Sequence, residues 1–351
     1  MTITTRTSQP AVGREWRLRR RPQEQVRDGD FEMVDAPVPQ PQPGQALVQT
    51  LYVSLDPASR IWISEREGYR PPLPLGEILP ASALSRVVAS ASDEWQPGDL
   101  VYGPTGWREW ACIGRDTKLN RAVMSIPAQI ARDTSFPLPS LLGVAGSSGI
   151  TAMVGLDQVA AAQSGETVVV SAASGAVGMA VGQIARLRGC RAVGITSGAD
   201  KCRWLVDTLG FDAAIDRNLP DWREQLADAT PDGVDVNFEN VGGAVMEATL
   251  ARMNQNGRVA LCGLISGYNQ GGAMAADYSP ILMKRLNVRG FIASDYIKLW
   301  PEMQTQLIDW VRDGKLFHQA TVVEGFEQIP ATFNRLFDGD KLGKLLVRVA
   351  A

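Results

Sequence analysis

The chain has 351 residues, of which 45% are hydrophobic and 21% charged, and its formal net charge at pH 7 is −3. A single hydrophobic core rarely serves a chain of this length, so two domains are expected. The slight acidic excess argues against nucleic acid and anionic membranes as main partners, and the lack of an apolar leader or bilayer-length apolar run predicts a cytoplasmic protein.

The first part of the chain predicts short antiparallel strands. Between about Glu15 and Leu138 the sequence has short β-like runs, among them 46–53 and 85–90, separated by prolines and glycines. A turn at 96–99 leads into a third strand. Runs of this kind are typical of an antiparallel β domain and not of strand–helix–strand units.

After about Ser140 strands and helices alternate. Strands are predicted at 167–172, 191–196, 213–216, 234–238, 258–263 and 287–293. The alternation predicts one doubly wound parallel sheet, followed by a helix over 303–313 and a final strand over 343–349. We expect that last strand to return to the first domain. The predicted fold is therefore α/β, with a β-rich domain of residues 1–140 and 316–351 and a dinucleotide-binding Rossmann domain of residues 141–315.

A turn of small residues follows the first strand of the predicted sheet. Ala172, Gly175 and Gly178 fall three apart, a variant of Gly-x-Gly-x-x-Gly with alanine at its first position. Small residues let such a turn close, let backbone N–H groups approach phosphates and let the helix pack tightly on the sheet. A tight packing turn without a ligand is the alternative. Because a helix and a second strand follow in register, the pattern favours a dinucleotide site at the helix N-terminus.

The end of the second strand bears on the choice between NAD and NADP. An NAD site needs an acid there to hold the ribose 2′-hydroxyl, whereas this strand ends Thr196-Ser197-Gly198. Asp200 is the nearest acid and keeps NAD open as the alternative, but we expect it instead to cap the helix that begins near Lys201. Small residues leave room for a 2′-phosphate paired with Lys201 and Arg217, although both cations are alternatively ordinary solvated groups. The sequence therefore predicts NADP.

Side chains that bind metals are scattered. The chain has one histidine, His318, and four cysteines with no Cys-x-x-Cys pair, namely Cys112, Cys190, Cys202 and Cys262. Structural and catalytic zinc sites both need a plausible set of such ligands. We therefore expect no metal, and cysteines that are reduced and behave as small hydrophobic residues.

From about Val34 onward the chain resembles the zinc-independent medium-chain dehydrogenases/reductases, in particular the branch of leukotriene dehydrogenases, prostaglandin reductases and alkenal double-bond reductases. The stretches that carry the resemblance are Ser54-Leu55-Asp56-Pro57, Gly149-Ile150-Thr151-Ala152, 172–178, Asn240-Val241-Gly242-Gly243, 262–269 and Leu342-Gly343-Lys344. The Ser-x-Tyr-Asn loop at 266–269 is the most specific to that branch. The resemblance implies a GroES-like β-rich catalytic domain and a Rossmann cofactor domain.

The resemblance also implies cofactor contacts. The turn would lie on the pyrophosphate, Lys201 would hold the 2′-phosphate, and Asn240 and the loop from Cys262 to Tyr268 would line the nicotinamide. The family has a tyrosine where Arg217 stands, so a cation replaces a phenol there. The implied NADP-binding residues are Thr151, Gly175, Ala176, Val177, Gly178, Lys201, Arg217, Asn240, Cys262, Tyr268, Phe291, Ile292 and Ala293.

Two positions depart from the family pattern. Ala58 follows Asp56-Pro57 where many relatives carry a tyrosine, which enlarges or depolarises one wall of the substrate pocket. Lys341 stands where an asparagine is common, which puts one contact on the nicotinamide side in doubt.

The implied reaction is hydride transfer from NADPH to the β-carbon of an α,β-unsaturated aldehyde or ketone. Such a site needs a donor at the developing oxyanion, and a phenol with a pKa near 10 is protonated at neutral pH. Tyr268 is the candidate catalytic donor; packing on the nicotinamide, with a cofactor ribose hydroxyl as the donor, is the alternative. Arg60 is a weaker candidate for a substrate carboxylate or cofactor phosphate, with an interdomain salt bridge as its alternative.

Other functions and partners stay open at this stage. An NADPH:quinone reductase, a zinc-free alcohol dehydrogenase and a non-catalytic NADPH-binding protein are the competing interpretations. The partner is expected to be a small molecule, and a homodimer is expected because relatives are commonly dimers. Four aromatic residues in loop-like regions are weak candidates for facing the substrate: Trp62, Tyr69, Trp107 and Tyr278.

Overall fold

Two large sheets and a separate hairpin organise the chain, and the computed structural model describes residues 10–66, 68–114, 123–269 and 277–350. The strands are β1 (Val12–Leu18), β2 (Phe31–Pro37), β3 (Gln45–Ser54), β4 (Ala83–Ser90), β5 (Leu100–Gly103), β6 (Trp110–Gly114), β7 (Met124–Ser125), β8 (Thr167–Ser171), β9 (Arg191–Thr196), β10 (Ala213–Asp216), β11 (Val234–Glu239), β12 (Met253–Leu261), β13 (Asn287–Gly290), β14 (Ala320–Glu324) and β15 (Lys344–Arg348).

Short helices connect most of these strands. The α-helices are α1 (Ser59–Trp62), α2 (Ala128–Arg132), α3 (Ser147–Met153), α4 (Ala176–Leu187), α5 (Ala199–Asp207), α6 (Trp222–Ala229), α7 (Gly243–Arg252), α8 (Ser279–Met283), α9 (Trp300–Arg312) and α10 (Ile329–Asn334). A π-helix covers Val154–Val159, and 3-10 helices cover Leu138–Leu142, Ile265–Gly267, Ala293–Leu299 and Phe326–Gln328. Within the described ranges, no helix combines the length and apolar character needed to cross a membrane.

The first large sheet is β-rich and mostly antiparallel. Its strand order is β14-β15-β3-β4-β5-β7, with β6 also paired to β3, while β1 and β2 form the separate antiparallel hairpin. Leu47, Val48 and Val53 of β3 and Leu84 of β4 are fully buried, so these central strands contribute to the core. The antiparallel β region predicted from the N-terminal part of the sequence is confirmed.

The second sheet is parallel and has the order β10-β9-β8-β11-β12-β13. Val168, Val169 and Val170 of β8 are 0% exposed, as expected for a parallel strand with helices on both faces. Burying each such side chain stabilises the fold by about 1.5–3 kcal/mol. The predicted doubly wound sheet is confirmed, but β12 ends at Leu261 and not at 263. The backbone turns there because the N–H groups of Cys262 and Gly263 both donate to the Glu239 carbonyl, at 2.9 and 3.1 Å.

The C-terminal segment connects the two large sheets. β15 lies antiparallel to β3 in the β-rich sheet, which is the return expected of the final strand. Just before β15, the Gly343 N–H donates to the Ser174 carbonyl at 2.9 Å, in the turn that follows β8. Gly343 has a φ of 69°, and a Cβ there would lie 2.1 Å from the Gln319 carbonyl oxygen. Only glycine therefore fits at this junction.

We predict that Gly343→Ala destabilises the protein by roughly 2–4 kcal/mol, because the methyl group meets backbone and the left-handed conformation disfavours a side chain. Gly314→Ala is the matched control, since Gly314 has nearly the same φ, 68°, with no atom within 4 Å of its Cβ position. That control should lose about 1 kcal/mol or less. Urea unfolding followed by circular dichroism measures both losses, and equal losses would contradict the steric explanation.

Candidate active site

A cavity of about 1150 Å³ lies where the two large sheets meet. Residues from the β-rich part line it, including Asp56, Ala58 and Tyr102, as do residues at the carboxyl ends of the parallel strands. Ligands of open parallel sheets bind at that end. The residues expected from the sequence that line the cavity are Thr151, Gly175, Ala176, Val177, Gly178, Asn240, Cys262, Tyr268, Phe291, Ile292 and Ala293.

The small-residue turn presents a helix N-terminus to this cavity. Gly175 is the N-cap of α4 and makes no side-chain cap, so the first N–H groups of the helix are available to an anion. Its own N–H donates to the Ala172 carbonyl at 2.9 Å, which closes the turn. A Cβ on Gly178 would lie 2.3 Å from the Ala172 carbonyl oxygen, so glycine is required there. Ala172 has a φ of 51°, which a glycine at the same position would adopt without strain.

The two cations expected at a 2′-phosphate lie outside the large cavity. Lys201 lines a smaller cavity of about 330 Å³, and Lys341 lines both, so the two cavities meet at Lys341. The Lys201 ammonium donates to the Gly339 carbonyl. Burial lowers the pKa of Lys201, and the nearby positive charge of Arg217 lowers it further, against the opposing effect of Asp340. Arg217 itself is exposed, directly after β10.

No acid lies at the tip of β9, where an NAD site would need one. The helix α5 begins after Gly198, which is the N-cap residue, with a φ of 90°. The expectation that Asp200 caps this helix is therefore wrong: Asp200 lies in the first turn and pairs with Arg203 on the surface. Asp216, at the end of the neighbouring strand, accepts the Gly198 N–H at 2.8 Å and is committed to that loop.

A buried carboxylate holds the Asn240 loop. Glu239 is 0% exposed and accepts the Ser171 hydroxyl and the Val241 N–H, both at 2.7 Å. Asn240 is fixed in turn, because its backbone N–H donates to the Ser171 hydroxyl and its side-chain amide donates to the Ser171 carbonyl, each at 2.8 Å. The side-chain oxygen of Asn240 has no donor among the described residues, so it can accept a hydrogen bond from a ligand in the cavity.

Cys262 and Thr151 line the cavity as neutral groups. Burial raises the pKa of Cys262 to about 12, and the negative charge of Glu239 contributes to that rise. The thiol is therefore protonated at neutral pH and is not a nucleophile. The Thr151 hydroxyl donates to the Ser147 carbonyl at 2.7 Å, so its oxygen faces a ligand as an acceptor only.

Tyr268 lines the cavity, as do Tyr69 and Tyr102. Its hydroxyl oxygen accepts the Leu264 N–H at 3.2 Å, which leaves the hydroxyl proton for donation to a ligand. Burial raises the pKa of Tyr268, with a smaller opposing effect from the Leu264 N–H. The phenol is therefore a neutral donor across the physiological range.

Two arginines of the β-rich part of the chain form hydrogen bonds with the residues on either side of Tyr268. Arg60 is 3% exposed and donates to the Asn269 side-chain oxygen at 3.0 Å, as well as to the carbonyls of Pro22 and Glu24. Arg66 donates to the Gly267 carbonyl at 2.9 Å. Arg60 does not line the large cavity, and within the described ranges it makes no salt bridge. Arg60 therefore holds the loop that carries Asn269, and its role as a ligand contact stays a prediction.

The aromatic residues expected near the substrate divide into two groups. Trp62 and Tyr69 line the cavity and meet edge to face at 6.1 Å, and the Arg70 guanidinium lies 4.4 Å from the Trp62 ring centre. Trp107 is instead buried in the core of the β-rich part, and Tyr278 is 58% exposed outside the cavity. One wall of the cavity is therefore aromatic, with the two rings nearly perpendicular to each other.

Two lysines of the C-terminal segment line the cavity, and sequence reasoning gave neither of them a role. Lys344 is 1% exposed and forms an ion pair with Asp56, which ties β15 to the segment after β3. Lys341 lies beside the turn at Gly175. The available signal was that Lys341 directly precedes the Leu-Gly-Lys signature and that Lys344 is its last residue. Among the residues that the structure describes, no group of three or more His, Cys, Asp or Glu side chains is placed to hold a metal ion.

Comparisons with known proteins agree with this architecture. Residues 14–121 match a family described as the N-terminal domain of oxidoreductase, and residues 176–313 match one described as zinc-binding dehydrogenase. The chain is 38% identical over 344 residues to the NADPH-dependent curcumin reductase of Escherichia coli (strain K12), which is 96% of this chain and 97% of the relative.

Two further similarities extend over nearly the whole chain. Prostaglandin reductase 1 of Bos taurus is 35% identical over 325 residues, covering 92% of this chain and 94% of the relative. The crystal structure of CurA in complex with NADPH from Vibrio vulnificus superposes with a TM-score of 0.88 at 34% identity, covering 96% of this chain and 99% of that one.

We predict that Gly178→Ala lowers both stability and dinucleotide affinity, because its methyl group would clash with the Ala172 carbonyl and open the turn. A loss of about 1–3 kcal/mol is expected from such overpacking. Gly175→Ala is the matched comparison: its methyl would lie 3.2 Å from the Ala172 oxygen and near the expected anion, so it should keep the fold and lose affinity. Thermal unfolding and fluorescence titration with NADPH separate the two effects. Wild-type behaviour of Gly178→Ala in both measurements would contradict the assigned turn.

Proposed function

The chain belongs to the zinc-independent medium-chain dehydrogenases/reductases, and from that membership we propose that it uses NADPH to reduce the carbon–carbon double bond of α,β-unsaturated aldehydes or ketones. The observation that carries the proposal is the Tyr268 hydroxyl, a neutral donor with its proton unused by the loop that holds it, in a cavity shared with the dinucleotide turn. The relatives named as a curcumin reductase and a prostaglandin reductase support the same substrate class.

The site fits NADPH. The open N-terminus of α4 suits a pyrophosphate, and the missing Cβ of Gly175 leaves room for it, while the missing Cβ of Gly178 lets the turn close against the Ala172 carbonyl. Lys201 and Arg217 suit a 2′-phosphate, and the β9 tip holds no acid that would repel it. We assign the nicotinamide side to Thr151, Asn240, Cys262, Tyr268 and the segment Phe291–Ala293, which line the cavity. When bound, NADPH supplies the hydride that is added to the β-carbon.

In the proposed mechanism Tyr268 donates its hydrogen bond to the substrate carbonyl oxygen. Negative charge grows on that oxygen as the double bond is reduced, so a donor fixed in advance stabilises the transition state more than the ground state. Asn240 would orient the carboxamide of the nicotinamide through its side-chain oxygen. The aromatic wall of Trp62 and Tyr69 would hold the conjugated part of the substrate and exclude water.

A quinone is the second candidate acceptor, because aromatic side chains such as Trp62 and Tyr69 can also pack against a quinone ring. The discriminating experiment follows NADPH absorbance with an alkenal, an enone, a simple quinone and a saturated ketone. Fast consumption with the alkenal and enone supports double-bond reduction, whereas consumption with the quinone alone would replace it. NADPH binding without consumption of any acceptor would favour a non-catalytic NADPH-binding protein.

We also propose the domain division, assembly and location. Residues 1–140 and 316–351 would form the catalytic domain and residues 141–315 the cofactor domain, consistent with β15 pairing to β3.

A homodimer would pair the exposed edge of β13 with the same edge of a second copy. The side chains of Leu282 and Met283, 73% and 66% exposed, lie beside that edge. All four cysteines lie in the described ranges and are free thiols, which supports a reducing, cytoplasmic location.

Tyr268→Phe is expected to lower kcat for enone reduction by roughly 100-fold, because the oxyanion loses its donor, while NADPH affinity is nearly unchanged. Steady-state kinetics and NADPH fluorescence titration measure the two quantities. Tyr278→Phe, at an exposed position outside the cavity, is the control and should leave both unchanged. An unchanged kcat in Tyr268→Phe would remove this phenol from the mechanism.

Leu282→Asp is expected to shift the protein from dimer to monomer, because a carboxylate would be buried without a partner in the proposed interface. Leu75→Asp is the control, since Leu75 is 57% exposed on the β-rich part of the chain. Sedimentation velocity at micromolar concentration reports the mass of each variant. A wild type that sediments as a monomer would rule out the proposed assembly.

A further inference from the structure

Lys341 is a cation in the cavity that has no partner among the described residues. It is half-buried, lines both the large and the small cavity, and forms no hydrogen bond or ion pair with any residue that the structure describes. Its ammonium nitrogen lies 3.9 Å from the point that a Cβ on Gly175 would occupy. A charge held away from bulk water is unfavourable unless an opposite charge faces it.

The charges around Lys341 do not neutralise it. Lys344 is already paired with Asp56, and Lys201 donates to the Gly339 carbonyl. Asp340 lies next in sequence, but its carboxylate is 3.5 Å from Arg335. Burial lowers the pKa of Lys341 to about 8, and the positive charges of Lys201 and Lys344 contribute to that decrease. The surroundings therefore lack an anion at this point.

We propose that Lys341 binds the pyrophosphate of the dinucleotide, completing the anion site that Gly175 and the N-terminus of α4 begin. This inference rests on the proposed use of NADPH. The pyrophosphate is favoured over the 2′-phosphate because Lys341 approaches the N-cap of α4, whereas Lys201 and Arg217 lie beyond the end of β9.

The proposal makes dinucleotide binding depend on pH. Only the protonated amine attracts the phosphates, and a bound anion raises the pKa of Lys341 above its value of about 8 in the free protein. Affinity is therefore full below pH 8 and falls as the pH rises through 8. At pH 8 the free amine is about half protonated, so binding takes up as much as about half a proton. Lys201, whose pKa is also lowered, is the other group that contributes to such uptake.

The test uses titration calorimetry of the full chain with NADPH and with NADH, which has the same pyrophosphate and no 2′-phosphate. Lys341→Met should weaken both nucleotides by roughly 10- to 100-fold, the effect of one charge-assisted contact. Lys201→Met should weaken NADPH far more than NADH. Lys341→Arg should bind as the wild type does at pH 7 and keep that affinity at pH 9, because a guanidinium is not deprotonated there.

Proton uptake supplies a second readout that does not depend on turnover. Titrations at pH 8 in buffers of different ionisation enthalpy should show uptake in the wild type that is reduced in Lys341→Met. Thermal unfolding without nucleotide checks the fold, and Lys341→Met should be at least as stable as the wild type because it removes an uncompensated charge. Lys315→Met, at an exposed surface pair, is the control for losing one lysine.

Three results would overturn the proposal. Wild-type affinity of Lys341→Met for both nucleotides would remove the residue from the site. Weakening of NADPH alone would assign Lys341 to the 2′-phosphate instead. A wild type that binds neither nucleotide would overturn the proposed cofactor itself, and this outcome is distinct from failure of the Lys341 variants alone.

Discussion

The hydrogen bond from the Gly343 N–H to the Ser174 carbonyl joins the two large sheets at the place where the cavity forms. One partner belongs to the chain returning to the β-rich sheet, and the other lies in the turn after β8. The approach is this close because Gly343 has no side chain, since a Cβ would meet the Gln319 carbonyl. The residues next to the bond are thereby fixed as well. Lys341 lies next to the turn at Gly175. Lys344 lines the cavity and forms an ion pair with Asp56.

The same segment explains how positive charge is distributed in the site. Lys201 and Lys344 lie close enough to Lys341 that their positive charges help to lower its pKa, yet each of the three lysines has a different environment. The Asp56 carboxylate neutralises Lys344. This pair has a structural role, because breaking a buried ion pair destabilises the fold. Lys201 has a carbonyl as acceptor, and Lys341 has none among the described residues. Positive charge that has no carboxylate partner among the described residues thus lies near the turn, where the proposed dinucleotide would place its phosphates.

Much of this architecture could be predicted from the sequence, for physical reasons that apply to particular residues. Val168–Val170 predicted a parallel strand because helices on both faces require an unbroken apolar run. The spacing of Ala172, Gly175 and Gly178 predicted the turn because a Cβ has no room at Gly178. The expected cap at Asp200 was wrong, since the left-handed Gly198 ends the loop two residues earlier. The position of Lys341 could not be predicted from periodicity, because it depends on a contact between residues more than 160 positions apart.

The placement of Tyr268 follows from both parts of the chain together. The phenol belongs to the loop after β12, but Arg60 and Arg66 hold its neighbours Asn269 and Gly267 from the opposite side of the cavity. Arg60 is itself fixed by carbonyls of the segment after β1, so the loop is tied to a buried and rigid anchor. A donor fixed in this way loses little freedom when charge develops on the substrate, which is what electrostatic stabilisation of a transition state requires. The reactive geometry is therefore a property of the junction between the sheets, and neither sheet could provide it alone.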